Sequence, residues 1–406
     1  MEQLSSKLSL PNGAILKNRL AKSAMSENLS DAAHAPTSTL IRAYKRWADG
    51  GAGLLITGNV MIDAKAIGEP QNVVVEDKKD FELLQAWAAT VKDTGTHLWP
   101  QLNHPGRQAI GVINKDTVAP SAVALKITGG NSLFQVPRAL TEPEIYDLIE
   151  RFGNTAAILQ AAGFTGVQIH AAHGYLISQF LSPITNQRKD QWGGSLANRA
   201  KFVVAVYRKI RERVGKDFPI GIKINSADFQ RGGFTEEESL EVIKILSAEA
   251  IDLIEISGGT YERAAMMGAS KKKSTIEREA YFIDYIEKAR KITQTPLMLT
   301  GGFRTVSVME NAIADDKLDV VGMARPYAIY PNIAQDILSE KVKEIATPVI
   351  TTGIKMLDKM RSVDLIWYEL QIKRIGEGKM PNFKMSALRA LAHISWLSFR
   401  KAFRKN

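Results

Sequence analysis

Two histidines and a tyrosine lie close together in the segment 169–175, whose sequence is IHAAHGY. His170 and His173 are three residues apart, and Tyr175 follows. Two imidazole N–H groups could clamp a carbonyl or nitro oxygen and stabilise the negative charge that develops when hydride adds to a conjugated double bond. Tyr175 could then give a proton to the adjacent carbon. A metal site is the alternative, but no nearby carboxylate completes a ligand set, so we expect no metal.

The elements that must position these side chains are eight short, apolar, β-prone runs separated mostly by helical patterns. Several runs are continuously apolar, which is typical of strands buried on both faces. Alternating strands and helices predict a closed parallel (β/α)8 TIM barrel. An open doubly wound sheet is the alternative, but no Gly-x-Gly-x-x-Gly follows any of the strands. The predicted strands are Leu20–Met25, Gly53–Val60, His97–Asn103, Gly166–His170, Ile220–Asn225, Leu253–Ser257, Leu297–Gly301 and Asp319–Met323.

Five helices are predicted from residue spacing and end signals. Two of them begin with Thr-Glu-x-Glu, a capping box in which the threonine and the second glutamate satisfy free backbone N–H groups. The predicted helices are Thr141–Ala162, Ala197–Val214, Thr235–Ala250, Thr275–Ile292 and Thr305–Ala314.

Several segments lie outside the barrel pattern. Leu10–Gly13 predicts a hairpin turn that we expect to cover the barrel bottom. The long connection 105–140 is expected to fold over the top. Lys271–Lys273 lie in another long connection, either as a solvated loop or as an anion-attracting lid. We therefore divide the chain into a barrel, residues 1–340, and a basic helical extension, residues 341–406.

The ends of the last two predicted strands suit a phosphate group. Gly301, Gly302 and Ala324 are small enough to let backbone N–H groups approach a phosphate, as in many β/α barrels. Arg325 could add a charge-assisted contact. A Gly-Gly pair also serves as a plain turn, so this pattern alone leaves both interpretations open.

Composition excludes several classes of site. The chain has no cysteine, which excludes disulfides, thiolate nucleophiles and Cys-ligated iron–sulfur clusters. The N-terminus has no apolar signal-peptide core and no stretch is long enough to span a membrane, so we expect a cytoplasmic enzyme.

The positive charge is concentrated in the C-terminal tail. The net charge is +10, and residues 371–406 carry nine Lys or Arg against one acid, Glu377. Residues Ser386–Lys405 predict a basic amphipathic helix with Leu388, Leu391 and Ala392 on its apolar face. Such a helix either docks on protein or lies on a membrane surface, and we expect docking.

Residues 169–202 read IHAAHGYLISQFLSPITNQRKDQWGGSLANRAKF and closely resemble the Old Yellow Enzyme family of flavin oxidoreductases, also called the NADH:flavin oxidoreductase / NADH oxidase family. The resemblance extends over roughly residues 5–335. It is carried by NRLAKSAMSE (18–27), QLNHPGR (101–107), TEPEI (141–145), ISGGTYE (256–262), REAYF (278–282) and VGMARP (321–326).

The resemblance implies an enzyme that binds FMN at the barrel mouth and takes hydride from NADH or NADPH. His170 and His173 would bind the oxygen of an activated alkene (an enone, enal, maleimide or nitroalkene), and Tyr175 would donate the proton. Lys223 would lie near the N1–C2=O edge of the flavin. The remaining implied cofactor contacts are Ser23, Ala24, Met25, Ser26, Gly58 and Gln101 at the ring, and Gly301, Gly302, Ala324 and Arg325 at the phosphate.

Three positions depart from the pattern of the family. Lys223 stands where Arg is common, which keeps the charge but loses the planar fork. Ser26 stands where Thr or Cys is usual, and Asn28 replaces a Tyr of one branch.

Relatives that carry an iron–sulfur cluster, or that reduce tRNA uridine with a catalytic cysteine, are excluded because cysteine is absent. A dihydroorotate-type FMN dehydrogenase and a non-catalytic barrel tethered by its basic tail remain alternatives. We expect no nucleic-acid partner; a homo-oligomer, the natural substrate and the nicotinamide preference stay open.

Overall fold

A computed structural model describes residues 1–127, 133–260, 262, 282–354, 358 and 362–392. Eight parallel strands pair in sequence order, and β1 also pairs with β8, so the sheet closes into a barrel. This confirms the predicted (β/α)8 TIM barrel. The strands are β1 (Leu20–Lys22), β2 (Leu54–Met61), β3 (His97–Asn103), β4 (Val167–Ala171), β5 (Ile220–Asn225), β6 (Leu253–Ser257), β7 (Leu297–Thr300) and β8 (Val320–Met323).

Helices surround the barrel, and both predicted capping boxes are present. The Thr141 N–H donates to Glu144 Oε2 over 2.8 Å. Glu238 N–H donates to Thr235 Oγ1 over 3.2 Å, and Thr235 N–H donates back to Glu238 Oε2 over 3.3 Å. The helices are α1 (Ser38–Asp49), α2 (Phe81–Ala88), α3 (Glu142–Ala161), α4 (Leu196–Val214), α5 (Glu236–Ala248), α6 (Ile283–Arg290), α7 (Val306–Ala314) and α8 (Ile333–Leu338).

The lower half of the barrel interior is apolar. Trp99 of β3 is fully buried there, in a cluster with residues of other strands that include Leu54 of β2 and Met298 of β7. Gly221 of β5 leaves room for the indole: a Cβ added there would lie 2.9 Å from Trp99 Cζ3. The barrel is therefore a packed core at this end, and a ligand can enter only from the other end.

The predicted N-terminal hairpin covers this apolar end. Leu8–Ser9 pairs antiparallel with Ile15–Leu16, and the turn between them contains Gly13 with φ +88°. Leu8, Leu10 and Leu16 pack on the apolar interior cluster. The hairpin lid is confirmed, and it completes the core at the amino ends of the strands.

The first strand is shorter than predicted. It ends at Lys22 instead of Met25, although Ser23 N–H still donates to Met323 O over 2.9 Å. Beyond this bond the chain leaves the sheet, so residues 24–26 form a loop at the barrel mouth. The ladder between β2 and β3 is also irregular between Ile56 and Asn59, which turns Gly58 toward the same mouth.

Helix Ser362–Gly376, the C-terminal helix, packs beside α1, where Arg42 Nε donates to Gly376 O over 2.7 Å. Of the predicted helix Ser386–Lys405, residues 387–392 are described and are helical. Ala390 is fully buried there, whereas Leu388 is 47% exposed, so the predicted apolar face is wrong in this turn. This turn follows Met385, whose carbonyl accepts from Trp367 Nε1 of the C-terminal helix over 2.8 Å.

Residues 393–406 and the Lys271–Lys273 segment lie outside the described residues, as does the start of the helix predicted from Thr275. In the part of the chain that is described, no helix has both the length and the apolar character needed to cross a bilayer.

Candidate active site

A polar layer lies inside the barrel above the apolar core, and Glu255 of β6 is at its centre. Glu255 is fully buried. Its Oε1 lies 3.0 Å from Lys223 Nζ and accepts from Thr300 Oγ1 over 2.7 Å. Its Oε2 accepts from Gln168 Nε2 over 2.6 Å. Three partners satisfy this carboxylate, as a buried charge requires.

The same layer reaches two further residues that the sequence singled out. Thr300 Oγ1 and Ser23 Oγ are 2.7 Å apart. Gln101 Nε2 donates to Gln168 Oε1 over 2.7 Å. Glu255 thus connects Ser23, Gln101 and Lys223, which come from three different strands or strand ends.

His170, His173 and Tyr175 form a cluster of rings at the end of β4. The ring centroids of His170 and Tyr175 are 4.7 Å apart, and those of His170 and His173 are 5.1 Å apart. His173 adopts φ +61°, a left-handed conformation that turns its ring back over the barrel. The backbone N–H of His173 donates to Asn225 Oδ1 over 3.1 Å, and the ring Nε2 of His173 lies 2.7 Å from Ser257 Oγ.

Both imidazoles are held neutral. Burial, then the nearby His173 and Lys223, lowers the pKa of His170 well below its ordinary value. Burial, then Lys223, lowers the pKa of His173 to about 3. His170 Nδ1 accepts from Ala172 N–H over 3.3 Å, which leaves the proton on Nε2 in the neutral ring. His170 can therefore act as a hydrogen-bond donor at neutral pH.

Tyr175 is 5% exposed and has a hydrogen-bond donor at its hydroxyl. Asn59 Nδ2, from the irregular part of β2, donates to Tyr175 Oη over 3.3 Å. The amide donates to the phenolic oxygen, so it positions the hydroxyl without accepting its proton. Asn59 was missed by the sequence analysis.

The loop after β1 lies beside Gly58. A Cβ added at Gly58 would lie 2.5 Å from Met25 O, so only glycine allows this approach. Ala24 packs next to the barrel interior and Met25 next to the outer core. Ser26 Oγ donates to Glu369 Oε1 of the C-terminal helix over 2.6 Å.

The ends of β7 and β8 carry the residues that the sequence predicts for a phosphate. Gly301 and Gly302 adopt φ +112° and +97°, conformations that favour glycine and leave their backbone open. Ala324 precedes the short helix Arg325–Ile329. Arg325 Nη1 is 3.8 Å from Asp364 Oδ2, and both side chains are partly exposed, so the guanidinium can reach a ligand.

These residues fit FMN by the chemistry of their groups. Open glycine backbone and an arginine suit the phosphate. Gln101 and Lys223 offer an amide and a cation, which match the polar edge of the flavin ring. Asn103, close to Gln101 on β3, is 1% exposed and has no partner for either side-chain amide atom among the described residues.

Four contributors escaped the sequence analysis: Gln168, Glu255, Asn59 and Glu369. One signal was present for Glu255, because LIEIS and IGIKIN each place a single charge inside a buried strand. Such charges need a partner of opposite sign. The other three residues have no distinguishing pattern in the sequence.

A closed barrel with a polar layer at its carboxyl end, and small residues after strands seven and eight, is typical of β/α-barrel enzymes that bind a phosphate-bearing ligand. The family model of the NADH:flavin oxidoreductase / NADH oxidase family matches residues 8–344. The chain belongs to this family. The predictions of an Old Yellow Enzyme-type oxidoreductase, of FMN and of a nicotinamide co-substrate are confirmed.

Individual relatives agree with this assignment. NADH-dependent flavin oxidoreductase iliE of Hypocrea jecorina is 36% identical over 362 residues, covering 83% of this chain and 89% of that protein. NADPH dehydrogenase of Clostridium acetobutylicum is 30% identical, covering 76% and 87%.

The fold is also found in a 2-naphthoyl-CoA reductase complex, with a TM-score of 0.77 and 26% identity. That match covers 84% of this chain but only 52% of the other, which is therefore the longer protein.

Proposed function

We propose that this protein reduces the C=C bond of an activated alkene, an α,β-unsaturated carbonyl or nitro compound. The observation that carries the proposal is the cluster of two neutral imidazoles and one phenol at the mouth of the barrel, with ring centroids 4.7 and 5.1 Å apart. The uncharged imidazole and phenol groups can bind a carbonyl or nitro oxygen as hydrogen-bond donors.

His170 and His173 hold the substrate oxygen. Their N–H groups stabilise the negative charge that grows on this oxygen as the β-carbon accepts hydride. Asn225 holds the backbone of His173 and Ser257 holds its ring, so no reorganisation is needed during the reaction.

Tyr175 gives its proton to the α-carbon. Its hydroxyl lies beside the histidine that binds the oxygen, and the α-carbon is one bond from the carbonyl or nitro group. Asn59 orients the hydroxyl through its amide.

FMN, when reduced by NADH or NADPH, supplies the hydride. Lys223 would lie at the polar edge of the flavin ring with Gln101. Ser23, Ala24, Met25, Ser26 and Gly58 would line the ring. Gly301, Gly302, Ala324 and Arg325 would hold the phosphate.

Anaerobic half-reactions test this function. The FMN-loaded protein is first reduced with NADH or NADPH and then mixed with an enone, a maleimide or a nitroalkene. We expect reoxidation by at least one of them and ping-pong kinetics, because both substrates use one pocket. Reduced protein that none of these alkenes reoxidises would contradict the proposal.

Variants separate the two steps. Tyr175→Phe should slow reoxidation about 10²–10⁴-fold and leave reduction by nicotinamide unchanged. Tyr146→Phe is the matched control, since Tyr146 is 50% exposed on α3. His170→Ala and His173→Ala should weaken the binding of phenols, whose oxygen resembles an enolate. Unchanged phenol affinity would exclude the clamp.

A further inference from the structure

The C-terminal helix, Ser362–Gly376, brings a carboxyl group to the barrel mouth. The helix is anchored on its outer side by Trp367, which is 1% exposed and donates from Nε1 to Met385 O over 2.8 Å. On the side of the barrel it presents Glu369, which is 7% exposed. A glutamate buried to this degree needs partners.

Two partners of Glu369 come from the loop after β1. Ser26 Oγ donates to Glu369 Oε1 over 2.6 Å, and Asn28 Nδ2 donates to the same oxygen over 2.8 Å. Asn28 is fixed in turn, because its Oδ1 accepts from Gln71 N–H over 3.3 Å and its φ is +47°. Glu369 thus reaches a residue that lines the proposed flavin site.

We propose that Glu369 is a positioning residue of the flavin site: its carboxyl group decides whether the Ser26 hydroxyl donates or accepts a hydrogen bond on the side of the flavin. This inference rests on the proposed function, in which Ser26 lines the ring.

The hydrogen-bond inventory of the two groups gives the mechanism. An ionised carboxylate only accepts, so the single hydroxyl hydrogen of Ser26 is committed to Glu369. Asn28 Nδ2 donates to Ser26 Oγ over 3.3 Å, so one lone pair of Ser26 remains for the flavin. A protonated Glu369 can donate to Ser26 Oγ, and the hydroxyl hydrogen of Ser26 is then released from Glu369. One proton on Glu369 therefore reverses the direction of the hydrogen bond between Ser26 and Glu369.

A second carboxyl group makes this proton available near neutral pH. Burial, and then the negative charge of Glu69, raise the pKa of Glu369 to about 7. Burial also raises the pKa of Glu69, although hydrogen bonds from Ser26 and Asn72 oppose this effect. Asn72 Nδ2 donates to Glu69 Oε2 over 3.1 Å. Two adjacent carboxyl groups avoid double ionisation by retaining one proton.

The described cations on the neighbouring elements have other partners. Lys22 Nζ is 3.1 Å from Glu27 Oε1, and the Tyr44 hydroxyl of α1 donates to the same carboxylate. Arg42 of α1 donates to Gly376 O, and Arg325 lies beside Asp364. No cation among these forms an ion pair with Glu369 within the described residues.

The test is a pH titration of the visible absorption spectrum of the FMN-loaded protein. We expect the wild type to show a spectral change with a midpoint near 7, the value set by Glu369. Glu369→Gln should abolish the change. Glu69→Gln should move the midpoint to lower pH by about one unit, because it removes the repelling charge.

Two further variants complete the design. Ser26→Ala should also abolish the change while Asn28 still binds Glu369, which covers the case that Glu369→Gln does not fold. Glu377→Gln is the matched control: this carboxyl is exposed, pairs with Lys379 over 2.8 Å, and should leave the titration unchanged.

The outcomes are distinct. Bound FMN with no spectral titration, or a titration that persists in Glu369→Gln or Ser26→Ala, overturns the inference and leaves the proposed function intact. A wild-type protein that takes up no FMN overturns the proposed function and this inference with it. Dissociation constants for FMN at pH 6 and pH 8 give a readout that does not depend on turnover.

Discussion

Lys223 and Glu255 form an ion pair inside the barrel, with Nζ and Oε1 3.0 Å apart and both side chains almost completely buried. They are register partners on the adjacent strands β5 and β6. The lysine that we place at the flavin edge is therefore not a free cation. Its charge is shared with a carboxylate that also fixes Thr300 and Gln168.

Removing this carboxylate should destabilise the FMN-free protein. Glu255→Gln leaves the Lys223 ammonium buried without a counter-ion, and breaking a buried pair in this way costs about 3–5 kcal/mol. Urea unfolding followed by circular dichroism measures the free energy of unfolding.

The double variant Glu255→Gln, Lys223→Met is the control for this prediction. It removes both charges and should recover part of the lost stability, since no uncompensated charge remains. If the loss in unfolding free energy of the double variant equals the sum of the losses in Glu255→Gln and in Lys223→Met, the two side chains are not coupled.

The histidine cluster predicts a pH dependence of stability. His173 has a pKa of about 3 in the folded protein, against about 6.5 when unfolded. Between these values the unfolded chain binds more protons, so the free energy of unfolding falls as the pH falls below 6.5. His173→Asn removes the one proton by which this site makes the two states differ. The slope of the unfolding free energy against pH should therefore fall by about 1.4 kcal/mol per pH unit. Equal slopes from pH 6 to pH 4 in both proteins would refute the assignment.

Arg325 and Asp364 give a prediction about FMN affinity. Arg325→Ala should weaken FMN binding about tenfold or more, because hydrogen bonds to charged groups contribute about 1.5–3 kcal/mol. Asp364→Asn should not weaken it, since it removes a competitor 3.8 Å from the guanidinium. Fluorescence quenching of FMN on titration with the apoprotein measures both. Weaker binding in Asp364→Asn would mean that this carboxylate orients Arg325.

The barrel could be predicted from sequence because each strand is a short apolar run and β/α alternation allows few topologies. All eight strands are present, and their ends move by up to three residues. The largest shift is at β1, where the chain leaves the sheet after the bond from Ser23 N–H to Met323 O.

The polar layer could not be predicted in the same way. The Lys223–Glu255 pair depends on the register of two strands, and the Ser26–Glu369 contact joins residues 343 positions apart. Such contacts arise from tertiary packing, and no local spacing encodes them.

Asn59 and Tyr175 provide the most direct test of how the proton donor is oriented. Asn59→Ala removes the amide that donates to the phenolic oxygen. A neutral hydrogen bond contributes about 0.5–1.5 kcal/mol, so alkene-dependent reoxidation should slow by about two- to tenfold. The same substitution in a Tyr175→Phe background should have no further effect on this step, because no hydroxyl remains to orient. Rapid-mixing kinetics of the four proteins gives the coupling, and an equal loss in both backgrounds would show that Asn59 acts on the substrate instead of on Tyr175.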